Sequence, residues 1–248
     1  MNNREKIDFI TRWISNYVTN MQIPAKTLVI GISGGIDSAL TSTLCALTGI
    51  KTIAVRMPII DSSNIGSINH SNWLDKNFNN IEVREIDLTT MFKEFSNITK
   101  KENFESELGY ANSKSRLRMI TLYQIAASKK GLVVGTGNKV EDFGVGFFTK
   151  YGDGGVDISP IADLTKSQVK ELAMELNILD EIIAAKPTDG LWDDGRSDED
   201  QLGLSYEQIE DAMNNKDSQY KEQYENIRKK SLHKMNSIPV CIIKEKDN

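Results

Sequence analysis

The chain of 248 residues carries 30 Lys and Arg against 35 Asp and Glu, a formal charge of −5. That length is enough to bury a full core in one medium domain. Its 39% apolar and 26% charged residues exclude a disordered or fibrous chain. The acidic balance speaks against nucleic acid as a partner, since such a protein needs clustered Lys and Arg to displace counterions.

Ile7, Ile10, Ile14, Tyr17 and Val18 recur at helical spacing, and Pro24 ends that segment. Residues 27–32 form a short β-branched run, apolar on both faces, that reads as a central parallel strand. A helix over 36–48 follows, with Ala39, Leu40, Thr43, Leu44 and Leu47 on one face and Gly49 closing it. Strands are predicted at 51–57, 81–86 and 132–135, with helices at 62–77, 88–95 and 105–128 between them. On the long helix, Leu117, Ile120, Ile125 and Ala126 serve either a subunit interface or the core. Beyond Pro160 only helices are predicted, at 166–176, 180–184, 205–214 and 217–233.

Strand alternating with helix specifies α/β architecture: an open, doubly wound, mostly parallel Rossmann-like sheet, with a helical C-terminal part. One domain is expected over 1–248, made of a nucleotide-binding core (1–160) and a helical extension (161–248). Residues 186–203, rich in Asp and Gly, are long for a connection and read as a mobile active-site cover; an ordinary disordered loop is the equal alternative.

Cys45 and Cys241 lie far apart among apolar neighbours and read as two buried, reduced thiols. With only His70 and His233, no Cys/His cluster can hold zinc. No signal peptide and no apolar run of membrane-spanning length occurs, so no membrane partner is expected and the location is cytoplasmic. The sequons at Asn69 and Asn97 are then chance matches.

The most informative string is Gly31-Ile32-Ser33-Gly34-Gly35-Ile36-Asp37-Ser38, running from the end of the first strand into the next helix. Glycine amides let an anion approach closely, and the helix start adds open N–H groups and a positive dipole end. Ser33 and Ser38 would add hydroxyl donors. The string lacks the Gly-Lys-Ser/Thr ending of a Walker A loop and the spacing of a dinucleotide fingerprint. Asp37 inside a phosphate cradle makes sense when a cation such as Mg²⁺ intervenes.

The string is similar to the pyrophosphatase-loop signature of the adenine nucleotide α-hydrolase-like ATPases, which cut ATP between its α and β phosphates. Alone, it leaves asparagine synthesis, GMP synthesis and tRNA thiolation open. Residues 135–141 (GTGNKVE) and 146–157 (GFFTKYGDGGVD) resemble the central motifs of the ammonia-dependent NAD synthetase family. So do 114–119 (KSRLRM), 164–166, 186–188, 198–203 and His233-Lys234, in the family's order and across almost the whole chain.

The resemblance implies an AMP-forming carbon–nitrogen ligase that amidates the nicotinate carboxylate of deamido-NAD through a carboxyl-adenylate. ATP is its co-substrate, ammonia its nitrogen source and Mg²⁺ its metal. It implies that Gly31 to Ser38, Thr136, Lys166 and Thr188 contact ATP, with Lys166 also catalytic, and that Asp37 and Glu141, both at strand ends, hold Mg²⁺. Arg116, Lys150, Asp157, His233 and Lys234 carry over to deamido-NAD. Asp153 carries over as the carboxylate that binds and deprotonates ammonium, against the alternative of a turn aspartate capping its own backbone. Lys166 taken without the family would be a solvated lysine. Asn138-Lys139 departs from the commonest pattern. Too few residues precede the first sheet strand for an amidase domain, so free ammonia is expected, as is a homodimer. A tRNA-thiolating enzyme would need basic surface and catalytic cysteines; a non-catalytic nucleotide module would have no reason to keep Asp37, Glu141, Lys166 and Asp153 together.

Overall fold

A computed structural model describes residues 1–60, 64–192 and 194–243. Helix α1 (Asn3–Asn20) opens with a capping box between Asn2 and Glu5, which satisfies two orphan amides of its first turn. Its buried stripe is Ile7, Ile10, Ile14 and Val18.

Four strands, β1 (Thr27–Gly31), β2 (Thr52–Arg56), β3 (Ile81–Glu85) and β4 (Gly131–Val133), form one parallel sheet in the order β3-β2-β1-β4. The register pairs Val29 with Ile53, Leu28 with Leu132 and Thr52 with Ile81. Helices α2 (Ile36–Leu47) and α3 (Ile65–Asn77) connect β1 to β2 and β2 to β3. Helices α4 (Thr89–Lys101) and α5 (Glu107–Lys129) then carry the chain over the other face to β4. The winding therefore reverses between β1 and β4, and the carboxyl ends of those strands diverge into a crevice, where open α/β sheets place their ligands.

Both sheet faces are covered. Leu28, Ile30, Ala54 and Leu132 point into one cluster with α1, α2 and α6 (Lys166–Glu175). Val29, Ile53, Val55 and Val133 point into the other with Phe92, Met119 and Leu122 of α4 and α5. Strand side chains alternate faces, so each central strand feeds both cores, which is why these runs do not alternate apolar with polar residues. After α7 (Asp180–Ala184), helices α8 (Asp198–Leu202), α9 (Tyr206–Asn214) and α10 (Lys221–Met235) build a third cluster. It packs Leu202, Leu204, Tyr206, Ile209 and Tyr224 against Val140 and Val145 of a π-helical turn, Val140–Val145.

Several expectations shift. Helix α4 continues to Lys101, six residues past the predicted end at 95, where Tyr110 of α5 meets the Thr99 hydroxyl at 3.2 Å and the Ser96 carbonyl at 3.5 Å. The fourth strand ends at Val133; Val134 makes a lone parallel bridge to Ile158. The predicted start of the helix at 62 falls outside the described residues. The stretch 186–203 carries secondary structure of its own, α8, opened by a capping box between Ser197 and Asp200 and ended by Gly203. Cys45 is buried as expected, but Cys241 is exposed, because the segment after α10 lies against no core.

Candidate active site

The loop between β1 and α2 has the form of an anion cradle. Gly34 adopts φ 87°, and a Cβ there would collide with the Asn64 side chain and come within 2.7 Å of the Ser67 amide. Only glycine fits. Asn64 both caps α3 and donates to the Ser33 carbonyl at 2.9 Å, so α3 clamps the loop from outside. Gly35, the N-cap of α2, has no side chain to cap it, leaving the first-turn amides open to an anion. The hydroxyls of Ser33 and Ser38 also bond within the loop. The Ser38 hydroxyl is buried and donates to the Gly35 carbonyl at 2.9 Å, while the Ser33 hydroxyl accepts from the Gly35 amide at 3.2 Å. They brace the loop.

Across the crevice, Lys166 at the start of α6 reaches Asp37. Its Nζ lies 2.5 Å from Asp37 Oδ2 and 3.0 Å from Glu141 Oε1. The three side chains are only 12–16% exposed. Removing one of them would strand a charge in a poorly solvated place. Burial disfavours the Lys166 ammonium, yet the two carboxylates outweigh it and hold its pKa above the ordinary lysine value. Burial pushes the Asp37 carboxyl upward, opposed by Lys166 and by Asn138. Glu141 sits on the π-helical turn rather than at a strand end, and Asp37 is in the first turn of α2.

Asn138 fastens these elements together. Fully buried, it donates to Asp37 Oδ1 at 3.0 Å and accepts from the amides of Val140 and Glu141 at 3.0 and 3.1 Å. The departure from the common pattern is thus a hinge pin between the two carboxylates. Tyr206, from α9, places its hydroxyl 2.5 Å from Glu141 Oε1 and 3.1 Å from Asp198 Oδ2. Among the described residues no three His, Cys, Asp or Glu converge on a metal position. Two carboxylates already sharing one cation fit Mg²⁺, which keeps waters and takes remaining ligands from phosphates.

Asp153 lies in a turn between Gly152 and Gly154. Its Oδ1 accepts from the Ser115 hydroxyl at 2.6 Å and the Thr149 amide at 3.1 Å, and its own amide donates back to Ser115 at 3.0 Å. A Cβ at Gly152 would strike the Ser115 hydroxyl, so glycine permits this approach. The residue keeps exposed surface, but crowding around the carboxylate raises its pKa, partly offset by those hydrogen bonds. Lys234 donates to the Phe148 carbonyl at 2.8 Å; burial lowers its pKa while Asp153 pulls it back up. Arg118, whose Nε donates to the Met57 carbonyl at 3.1 Å, also feels Asp153 electrostatically.

The other expected contacts distribute around this centre. Arg116 Nε donates to the Lys150 carbonyl at 3.2 Å, and Lys150 Nζ stands over the Tyr151 ring. Asp157 accepts from the Tyr123 hydroxyl at 3.0 Å and the Val133 amide at 2.7 Å. Ile120, Tyr123 and Tyr151 line an open cleft of about 600 Å³ beside it. Thr136 is half-buried beyond β4, and His233 is exposed on α10. Thr188 is exposed, its hydroxyl 3.3 Å from the Arg196 carbonyl in a turn outside the carboxylate cluster. Sequence reasoning overlooked Asn138 as a ligand holder, Ser115, Tyr206 and Asp198. Their only signals were positions inside or beside motifs, and Tyr206 reads as a core residue of its helix.

This arrangement can cradle a polyphosphate, neutralise it through carboxylate-held cations and present a second carboxylate of raised pKa nearby. Comparison with known proteins agrees. Residues 6–247 match the family model described as NAD synthase. The chain is 36% identical over 236 residues to the NH(3)-dependent NAD(+) synthetase of Finegoldia magna, covering 94% of each. It superposes on the structure of NMN synthetase from Francisella tularensis with TM-score 0.88 and 32% identity, covering 98% of this chain and 100% of that one. The NH3-dependent NAD synthetase from Campylobacter jejuni follows at TM-score 0.77 and 26% identity, with the same coverage.

Proposed function

The chain belongs to the NAD synthase family, and from that premise we infer its reaction and the work of each side chain. It is a ligase that uses ATP to amidate deamido-NAD with ammonia, the last step of NAD biosynthesis. The observation that carries the reading into this structure is the convergence of Lys166, Asp37 and Glu141 beside an uncapped helix start.

A carboxylate resists ammonia because oxide is a poor leaving group. In the first half-reaction a nicotinate oxygen attacks the α-phosphorus, the bond to the bridging oxygen breaks, and pyrophosphate leaves. In the second, ammonia attacks the acyl carbon and AMP departs with the electron pair. Residues Gly31 to Ser38 hold the phosphates on backbone amides, with Thr136 and Thr188 as further ATP contacts. Lys166 exchanges its carboxylates for phosphate oxygens and stabilises charge that builds there. Asp37 and Glu141 hold Mg²⁺, which when bound neutralises triphosphate charge. Arg116, Lys150, Asp157, His233 and Lys234 bind and orient deamido-NAD. Asp153 Oδ2, free of the hydrogen bonds that occupy Oδ1, takes the proton from ammonium.

Residues 1–160 serve as the nucleotide-binding core and 161–248 as its helical extension within one unit. No helix of the described residues is long and apolar enough to cross a membrane, and we assign the protein to the cytoplasm as a homodimer. The exposed apolar side chains of α5 beside the Tyr123–Tyr151 cleft support the dimer.

One observation favours a second reading. The NMN synthetase superposes more closely than the Campylobacter jejuni enzyme does, which suits amidation of the mononucleotide form of the substrate. Turnover of ATP to AMP and pyrophosphate with ammonium, measured against deamido-NAD and nicotinate mononucleotide in parallel, separates the two. The dinucleotide is expected to give the higher kcat/KM; a reversed preference would establish the mononucleotide reading, and no AMP with either would sink both.

A further inference from the structure

We propose that Tyr206, seated by Asp198, is a positioning residue that turns Glu141 toward the metal and holds Lys166 in line with the triphosphate. This rests on the reading of Asp37 and Glu141 as the Mg²⁺ pair.

The geometry begins with one proton and two acceptors. The Tyr206 hydroxyl can donate once, and Glu141 Oε1, at 2.5 Å, is nearer than Asp198 Oδ2, at 3.1 Å. Lys166 Nζ bonds the same oxygen, Oε1, at 3.0 Å. Among the described residues the side-chain donors to Glu141 gather on Oε1, which leaves Oε2 as the ligand oxygen. When Lys166 leaves for phosphate, the tyrosine bond alone keeps that orientation. The ring contributes as well: Lys166 Nζ stands 4.6 Å from its centroid, which limits the directions the ammonium can take.

Tyr206 is itself immobile. It is 5% exposed within the third hydrophobic cluster, and its amide donates to Glu199 at 3.0 Å. Asp198, also 5% exposed, leaves Oδ1 without a partner. A phenylalanine would satisfy the same cluster without burying a hydroxyl between two carboxylates. An arrangement that costs stability in this way points to a task in the site. It also links α8, at the end of the 186–203 stretch, to Glu141 through the Tyr206 hydroxyl.

The test is Mn²⁺ binding, followed by electron paramagnetic resonance, to the full-length enzyme with α,β-methylene-ATP. Glu141→Gln is the reference and should weaken binding. Tyr206→Phe should weaken it about tenfold, the usual scale for losing a group that orients a metal ligand, while Tm holds or rises. The Mg²⁺ concentration for half-maximal turnover should shift by a similar factor, with saturating Mg²⁺ restoring most of kcat. Wild-type Mn²⁺ affinity in Tyr206→Phe, beside a loss in Glu141→Gln, would overturn the proposal. Should Tyr206→Phe lose its fold, Tyr206→Met, which keeps an apolar side chain in the cluster and removes the donor, decides by the same readout: unchanged affinity overturns, weaker affinity supports. Wild-type affinity in Glu141→Gln would instead refute the metal pair, and the proposal with it.

Discussion

Both hydrogen bonds that Asp153 receives from Ser115 and Thr149 fall on Oδ1, which leaves Oδ2 to meet a small cation. Crowding has raised the pKa of this carboxyl, bringing it closer to what a general base needs. Asp153→Asn should therefore keep the exchange of labelled pyrophosphate into ATP, which needs only adenylation, and lose amide formation by about 10²–10⁴-fold. Ser115→Ala removes a hydrogen bond that favours the ionised form. The rising limb of the amidation pH profile should then move to higher pH, because the carboxylate becomes harder to ionise. Loss of both half-reactions in a folded Asp153→Asn protein would remove Asp153 from the ammonia step.

Helix α5 divides its surface among three tasks. Met119, Leu122 and Ala126 are buried against the sheet, with Leu117 and Ile125 packed beside them. One turn earlier, Lys114 donates to the Leu191 carbonyl at 3.0 Å and Ser115 holds Asp153. Ile120, by contrast, is 62% exposed. Of the four apolar positions left open between core and interface, only Ile120 faces outward on this scale. An exposed isoleucine beside two tyrosines suits a subunit contact. If the proposed dimer forms through this face, Ile120→Asp should lower the sedimentation coefficient from that of a dimer to that of a monomer, with the far-UV spectrum unchanged. An unaltered dimer would place the interface elsewhere.

The molecule as a whole should lose stability on mild acidification, through a group remote from catalysis. His70 of α3 is fully buried, with Nε2 2.9 Å from the Ser42 hydroxyl on α2, its ring stacked on Trp73 and Nδ1 without a partner. Burial lowers its pKa to about 4. In the unfolded chain the imidazole titrates near its ordinary value, about 6.5. Between those values the unfolded state binds the extra proton, so stability rises with pH there. The contribution is complete above pH 6.5 and is lost as pH falls toward 4, in total roughly 3 kcal/mol at 1.36 kcal/mol per unit. His70→Gln should flatten the fall of Tm over that window. Parallel Tm curves for both proteins would show that other groups dominate.

The chain order of strands and helices, the glycine cradle and its position after the first strand were legible from the sequence, because period, turn chemistry and helix starts are local properties. Central strands such as 27–31 announced their burial by lacking polar alternation, since both faces of a parallel sheet are covered. What only the tertiary structure decided were the partnerships between distant segments. Lys166 meets Asp37 across 129 positions of chain, and Tyr206 meets Glu141 across 65. Neither pair leaves a mark in spacing. The end of α4 shifted where Tyr110 of the next helix supplied partners for Ser96 and Thr99. The two loop serines bond within the loop because the tight turn at Gly34 and Gly35 brings the Ser38 hydroxyl to the Gly35 carbonyl and the Gly35 amide to the Ser33 hydroxyl. Local sequence thus specifies the elements, whereas long-range packing chooses which side chains share one charge, one proton or one hydrogen bond.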